Sequence, residues 1–167
     1  MIVNLCGTQI KGMVNVDISP KADKIRDLRW MRIPFKNDTV DRLLCMSAIN
    51  YFSKKRAEYL IGEVYRVLKP GGVCRFGVQD LELICKKYLS GEFDCDRVNR
   101  WFGNLDGYAA NGVKSKYVYD YKTLAGLFSK AGFRLVLRAG FKENRVEVGL
   151  ANHDNRPEQM FYLEAIK

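Results

Sequence analysis

Short apolar runs alternate with helical spacing along this chain, most clearly between Val40 and Asp80. Val40-Asp41-Arg42-Leu43-Leu44-Cys45-Met46-Ser47 reads as a strand. Ala57, Leu60, Ile61, Val64 and Leu68 then recur at spacings of three and four, which places them on one helix face. Ser53 stands where an N-cap is needed. Lys69-Pro70 is expected to close the helix, because proline disfavours helical backbone in the residue before it. Gly71-Gly72 then allows the reversal into a second strand, Val73-Cys74-Arg75-Phe76-Gly77-Val78-Gln79-Asp80. Strand, helix and strand in this order form the unit of parallel sheets. Lys54, Lys55 and Arg56 crowd the first helical turn against the dipole and read as a solvated basic end.

The rest of the chain extends the alternation. Met1 to Gly7 reads as a buried strand ending in glycine, Thr8 to Gly12 as a polar turn, and Met13 to Ile18 as a second strand ending in an acid. A parallel crossover normally takes a dozen or more residues. The turn here is far shorter, so the helix between these strands is expected to be missing or reduced to one turn. Lys24-Ile25-Arg26-Asp27 is a brief edge strand, and Arg32 to Asp38 a turn-rich loop. Asp80 can cap a helix whose inward face is Leu81, Ile84, Cys85, Tyr88 and Leu89. Gly91 to Lys116, with Trp101, Phe102, Gly107, Tyr108 and Gly112, reads as an irregular, partly helical excursion suited to a lid or a partner surface, a homodimer contact included. Asp120 caps a helix with Leu124, Leu127, Phe128 and Ala131 inward and Gly132 as its stop. Phe133 to Gly140 and Met160 to Ile166 are the last strands, joined by a polar loop.

The fold class is therefore α/β: an open, mostly parallel sheet in a single domain spanning residues 1–167. In such sheets ligands bind beyond the carboxyl ends of the strands, near the reversal of strand order. Strand ends are thus site candidates: Gly7, Asp17, Asp27, Met46-Ser47 and Gln79-Asp80.

Composition narrows the picture a little. No run approaches the ~20 apolar residues of a membrane span, and no secretory leader is read at the N-terminus. The five cysteines are an odd number without a CxxC pair, which argues against a metal site and for a reduced, cytoplasmic setting. The formal charge of +9 favours anionic partners, nucleic acid among them, but the basic residues are spread along the chain rather than gathered in a stripe.

Val14-Asn15-Val16-Asp17-Ile18, Ile33-Pro34-Phe35 followed by Val40-Asp41, and above all Glu63-Val64-Tyr65-Arg66-Val67-Leu68-Lys69-Pro70-Gly71-Gly72 resemble class I S-adenosylmethionine-dependent methyltransferases. Arg75, Gln79-Asp80-Leu81-Glu82, Tyr119-Asp120-Tyr121, Ala131-Gly132-Phe133 and Tyr162 to Lys167 extend the likeness, which points to a small bacterial subgroup of predicted methyltransferases. The resemblance implies a Rossmann-like seven-stranded sheet whose last strand is antiparallel, and S-adenosylmethionine as cofactor. It makes Leu5, Cys6 and Gly7 the counterpart of the glycine loop under the methionine part of that cofactor. Asp17, followed by Ile18, matches the acid that accepts from the ribose hydroxyls. Asp27, followed by Leu28, matches the position facing the adenine amine, and Met46 and Ser47 fall where the family lines the cofactor after its fourth strand. Three departures stand out. Cys6-Gly7-Thr8-Gln9-Ile10 keeps one glycine of a G-x-G-x-G loop, Ile49-Asn50-Tyr51-Phe52 stands where the subgroup has a Glu-His pair, and Ser115-Lys116 where it has a histidine.

On this reading the chain transfers a methyl group to a sugar or other small-molecule acceptor. Asp80 is a candidate base as well as a cap, and Tyr117, Tyr119, His153, Asp154 and Asn155 are substrate-contact candidates. The competing reading keeps the fold without the chemistry: a protein- or nucleic-acid-binding module whose cofactor loop has degraded.

Overall fold

The computed structural model describes residues 1–103, 114–146 and 149–167. Its strands are β1 (Ile2–Leu5), β2 (Val14–Asp17), β3 (Lys24–Ile25), β4 (Val40–Met46), β5 (Leu68–Gln79), β6 (Leu135–Ala139) and β7 (Met160–Ile166). Its helices are α1 (Lys54–Val67), α2 (Leu81–Leu89), α3 (Cys95–Gly103) and α4 (Tyr121–Ala131). The strands form one seven-stranded sheet in the order β3-β2-β1-β4-β5-β7-β6. β1 to β5 pair in parallel, and β7 runs antiparallel to both β5 and β6. The expected sheet and its reversed last strand are both present. The chain passes from β1 to β2 without a helix between them, as the short turn required. The order reverses between β1 and β4, which opens a crevice at their carboxyl ends.

Side chains alternate across the pleat. One face of the sheet, with Val3, Leu5, Leu43, Cys45, Cys74, Phe76, Val78 and Leu163, packs on α1 through Ala57, Leu60, Ile61 and Val64 and on α4 through Leu124, Leu127 and Phe128. Each Val, Leu, Ile or Phe side chain among them contributes about 1.5–3 kcal/mol. The other face carries Leu44, Met46, Met160 and Tyr162, and is covered by Leu150 and by the 10–13 segment through Ile10 and Met13.

α1 begins as read: Ser53 Oγ accepts from Arg56 N at 3.3 Å. It ends earlier than expected, at Val67. The carbonyls of Arg66 and Val67 accept from Asp38 N (3.1 Å) and Thr39 N (2.9 Å), and Leu68 already pairs with Val40. Capture of the last turn by the residues leading into β4 releases the chain into β5 before the proline acts. The Glu63 and Arg66 of the family-like stretch are structural. Glu63 accepts from Ile33 N at 3.2 Å and Arg66 donates to Phe35 O at 2.8 Å, fixing the loop before β4.

Lys69 to Gly72 bulge out of the β4–β5 ladder, whose register shifts between Val40 and Arg42. A Cβ on Gly72 would lie 2.8 Å from Lys69 O and 3.2 Å from Asp41 O, backbone atoms that cannot rotate away, whereas nothing stands within 4 Å of one on Gly71. Gly72→Ala is therefore expected to cost about 2–3 kcal/mol by overpacking. Gly71→Ala, at φ +77°, costs about 1 kcal/mol of backbone strain. Urea unfolding of the two variants checks the ranking, and equal losses would refute it.

Two expectations about helix faces are corrected. On α2 only Ile84 is buried; Tyr88 is 52% and Leu89 83% exposed, and Cys85 faces solvent. This short helix leaves the sheet at Asp80 and packs against α3 rather than on the strands. Arg56 is not a solvated end. Its Nε donates to Leu28 O at 2.8 Å and its Nη2 to Met31 O, so it holds the segment after β3. Of the 91–116 excursion, α3 is helical as anticipated, and Phe93 packs on Trp101 at 5.3 Å. Gly107, Tyr108 and Gly112 lie outside the described residues.

Candidate functional site

The crevice begins at Cys6 and Gly7, with φ of 60° and 90°. The left-handed backbone suits Gly7 and strains Cys6. The helix-free connection needs another support, and Asn15 provides it from within β2. Its Nδ2 donates to Ile10 O and Met13 O (both 3.1 Å), and its Oδ1 accepts from Ile10 N (2.8 Å) and Asn4 Nδ2 (3.0 Å). Asp23 accepts from both the backbone N–H and the Nδ2 of Asn15, which lowers its pKa below the usual carboxylate value. Asp17 closes β2 with its carboxylate half-buried. Oδ2 accepts from Gly7 N at 3.0 Å and Oδ1 from Ser19 N at 2.7 Å, so each oxygen keeps a lone pair for a further donor.

Beyond β3, Arg29 grips Asp27 through Nε (2.9 Å) and Nη2 (2.8 Å). That hydrogen bonding lowers the Asp27 pKa and raises the Arg29 pKa. At the end of β4, Ser47 takes φ 54° and donates from N to Gly77 O at 2.9 Å. Gly77 has no side chain, which leaves room for the Met46 thioether.

The far wall is anchored from β5. Arg75, fully buried on the less covered face, donates from Nε to Asp154 Oδ1 at 2.7 Å and from Nη1 to Glu164 Oε1 at 2.6 Å. It also donates to Glu143 O (2.9 Å) and Gly140 O (3.0 Å). Glu164 in turn accepts from Arg145 N and Val146 N, and Asp154 from Lys142 N. The loop before β7 is thereby drawn onto the sheet, and Tyr162 Oη donates to Asn155 O in the same turn.

These walls enclose a cavity of about 710 Å³, within the range that holds a small-molecule ligand. Cys6, Gly7, Asp17, Ile18, Asp27 and Leu28 line one part of it. Met46, Ser47, His153 and Asn155 line another. The remaining candidates lie elsewhere. Leu5 and Tyr119 are core residues without exposure, and Tyr117 packs beside Tyr119 at 4.7 Å between ring centres. Asp154 points into the sheet at Arg75. Asp80 caps α2 at Glu82 N (3.0 Å) and Leu83 N (3.3 Å) and pairs with Arg138 at 2.8 Å. Sequence reasoning gave no site role to Arg26, Arg29, Tyr51, Phe52 and Arg156, which also line the cavity, or to the supports Asn15 and Arg75. A charge inside the apolar Val73–Val78 run was the available signal for Arg75; Asn15 offered none beyond its place in a strand.

Burial, with Asp17 and Asp27 nearby, pushes the Cys6 thiol up to about 12. The cavity thus holds a neutral thiol rather than a thiolate at neutral pH.

Residues 4–76 match the family described as a methyltransferase domain. No curated protein matches the chain in sequence. Among solved structures, an S-adenosylmethionine-dependent methyltransferase of Mesorhizobium loti is 19% identical, with a TM-score of 0.63 over 99% of this chain and 90% of that one. One from Methanosarcina mazei is 16% identical, with a TM-score of 0.61 over 99% and 91%. One from Archaeoglobus fulgidus is 14% identical, with a TM-score of 0.61 over 99% and 85%. At these identities the structural likeness establishes the fold.

Proposed function

From a chain with the class I S-adenosylmethionine-dependent methyltransferase fold, and a family match that implies S-adenosylmethionine as cofactor, we propose an enzyme that methylates a small-molecule acceptor. The observation that carries this reading is the Asp17 carboxylate beside Gly7 N–H at the mouth of the switch-point cavity.

The residues fit that cofactor. Asp17 has lone pairs left for the hydroxyls of a diol, as charge-assisted bonds. Ile18 and Leu28 offer apolar contact for a base, and Asp27, steadied by Arg29, an acceptor for its amine. Tyr51 and Phe52 present rings to a cation, an attraction of about 0.5–2 kcal/mol. When bound, S-adenosylmethionine supplies a methyl group already activated on a sulfonium. The protein then has to hold the acceptor in line and keep water out, so positioning does most of the work. Cys6, protonated in the cavity wall, does not compete with the acceptor for the methyl.

Calorimetric titration with S-adenosylhomocysteine tests the reading. Micromolar binding is expected, and Asp17→Ala should weaken it at least tenfold, since a charged hydrogen bond is worth about 1.5–3 kcal/mol. No binding at millimolar ligand would instead favour a binding module built on the same fold.

A further inference from the structure

The His153–Arg156 turn forms a second part of the cavity with a different chemistry. Its middle is locked inward, because the Asp154 side chain is fully buried on Arg75. Its neighbours His153, Asn155 and Arg156 all line the cavity. Arg156 holds φ 55°, a left-handed conformation that costs an arginine about 1–2 kcal/mol and that the anchored turn imposes. Among the described residues, neither the His153 imidazole nor the Arg156 guanidinium has a hydrogen-bond or ion-pair partner.

Among the described residues, the acids that line the cavity, Asp17 and Asp27, come from other elements than the turn. Asp17 ends β2 and Asp27 follows β3, whereas the turn leads into β7, the neighbour of β5. Asp17 and Asp27 are already engaged by backbone N–H groups and by Arg29. The turn therefore offers to the cavity a guanidinium and an imidazole without partners among the described residues, and an amide beside them. A planar guanidinium with such neighbours matches carboxylate and phosphate oxygens. The chain's net charge of +9 raises the local concentration of such ligands.

We propose that the His153–Arg156 turn is the acceptor subsite and that the methyl acceptor is an anionic small molecule carrying a carboxylate or a phosphate. The proposal rests on the methyltransferase reading and names the acceptor class of that site.

His153 is the only histidine of the chain, so its imidazole gives a single, assigned set of NMR signals. Inorganic phosphate and acetate, titrated at fixed pH into protein saturated with S-adenosylhomocysteine, are the probes for the two anion types. Saturable movement of the His153 signals by either anion is expected. Arg156→Gln should weaken that anion about tenfold or more, as loss of a charged hydrogen bond does, and leave S-adenosylhomocysteine affinity essentially unchanged. Two results would overturn the proposal. One is a His153 signal that never saturates. The other is an anion that competes with S-adenosylhomocysteine, together with an Arg156→Gln variant that loses both ligands, since the turn would then hold the cofactor's own carboxylate. Failure of the methyltransferase reading looks different: S-adenosylhomocysteine does not bind the unaltered protein. Phosphate or acetate titrated into the protein alone would then still report the turn as an anion site, and its assignment to an acceptor would fall.

Discussion

Arg75→Met is expected to destabilise the protein by about 3–5 kcal/mol, the largest loss of any single substitution considered for this chain. The reason is asymmetry. Asp154 and Glu164, both with fully buried side chains, keep their charges when the arginine goes, and removing one partner of a buried ion pair costs about that much. Methionine fills most of the volume, so the loss measures charge rather than a cavity. One further reading separates this account from simple mispacking. A triple variant, Arg75→Met with Asp154→Leu and Glu164→Met, should recover much of the stability, since apolar replacement of a whole buried network is often close to neutral. Denaturant unfolding gives both values. A loss below about 1 kcal/mol for Arg75→Met would mean that the network contributes little and that other contacts hold the loop before β7.

Asn15→Leu is expected to cost about 2–4 kcal/mol and to abolish S-adenosylhomocysteine binding. Asn15 is 8% exposed and makes hydrogen bonds to Ile10, Met13, Asn4 and Asp23. Leucine has similar bulk but leaves the Ile10 N–H and the Ile10 and Met13 carbonyls without these partners, at about 1–3 kcal/mol for each group that stays buried. The 6–13 segment has no helix to stiffen it, so it would move toward water to satisfy those groups and take Cys6 and Gly7 with it. The readout is paired: stability from urea unfolding and affinity from calorimetry. Stability lost with affinity intact would show that the loop holds its shape without the Asn15 ladder.

The outline of the fold was legible because it is written in local spacing. The α1 face, the Ser53 cap, the acid at the end of β2 and the short turn that excludes a first helix all depend on residues within a few positions of one another. Strand ends led to five of the proposed contacts that line the cavity, Gly7, Asp17, Asp27, Met46 and Ser47, because the topology of a parallel sheet gathers its carboxyl ends on one side. The same local reasoning failed on α2. Periodicity shows which residues share a face but not whether anything covers it, and α2 packs on α3 instead of on the strands.

By itself the sequence determined an open parallel sheet, a glycine turn after β1 and an acid at the end of β2, since each follows from neighbours in the chain, and the resemblance added the reversed last strand. Only the tertiary structure decided the far wall. Arg75 meets Asp154 and Glu164 across 79 and 89 residues, and that meeting turns Asp154 inward while His153, Asn155 and Arg156 face the cavity. Which side of a loop faces a ligand is set by where its buried charge finds a partner, and a partner so distant leaves no mark in the local pattern.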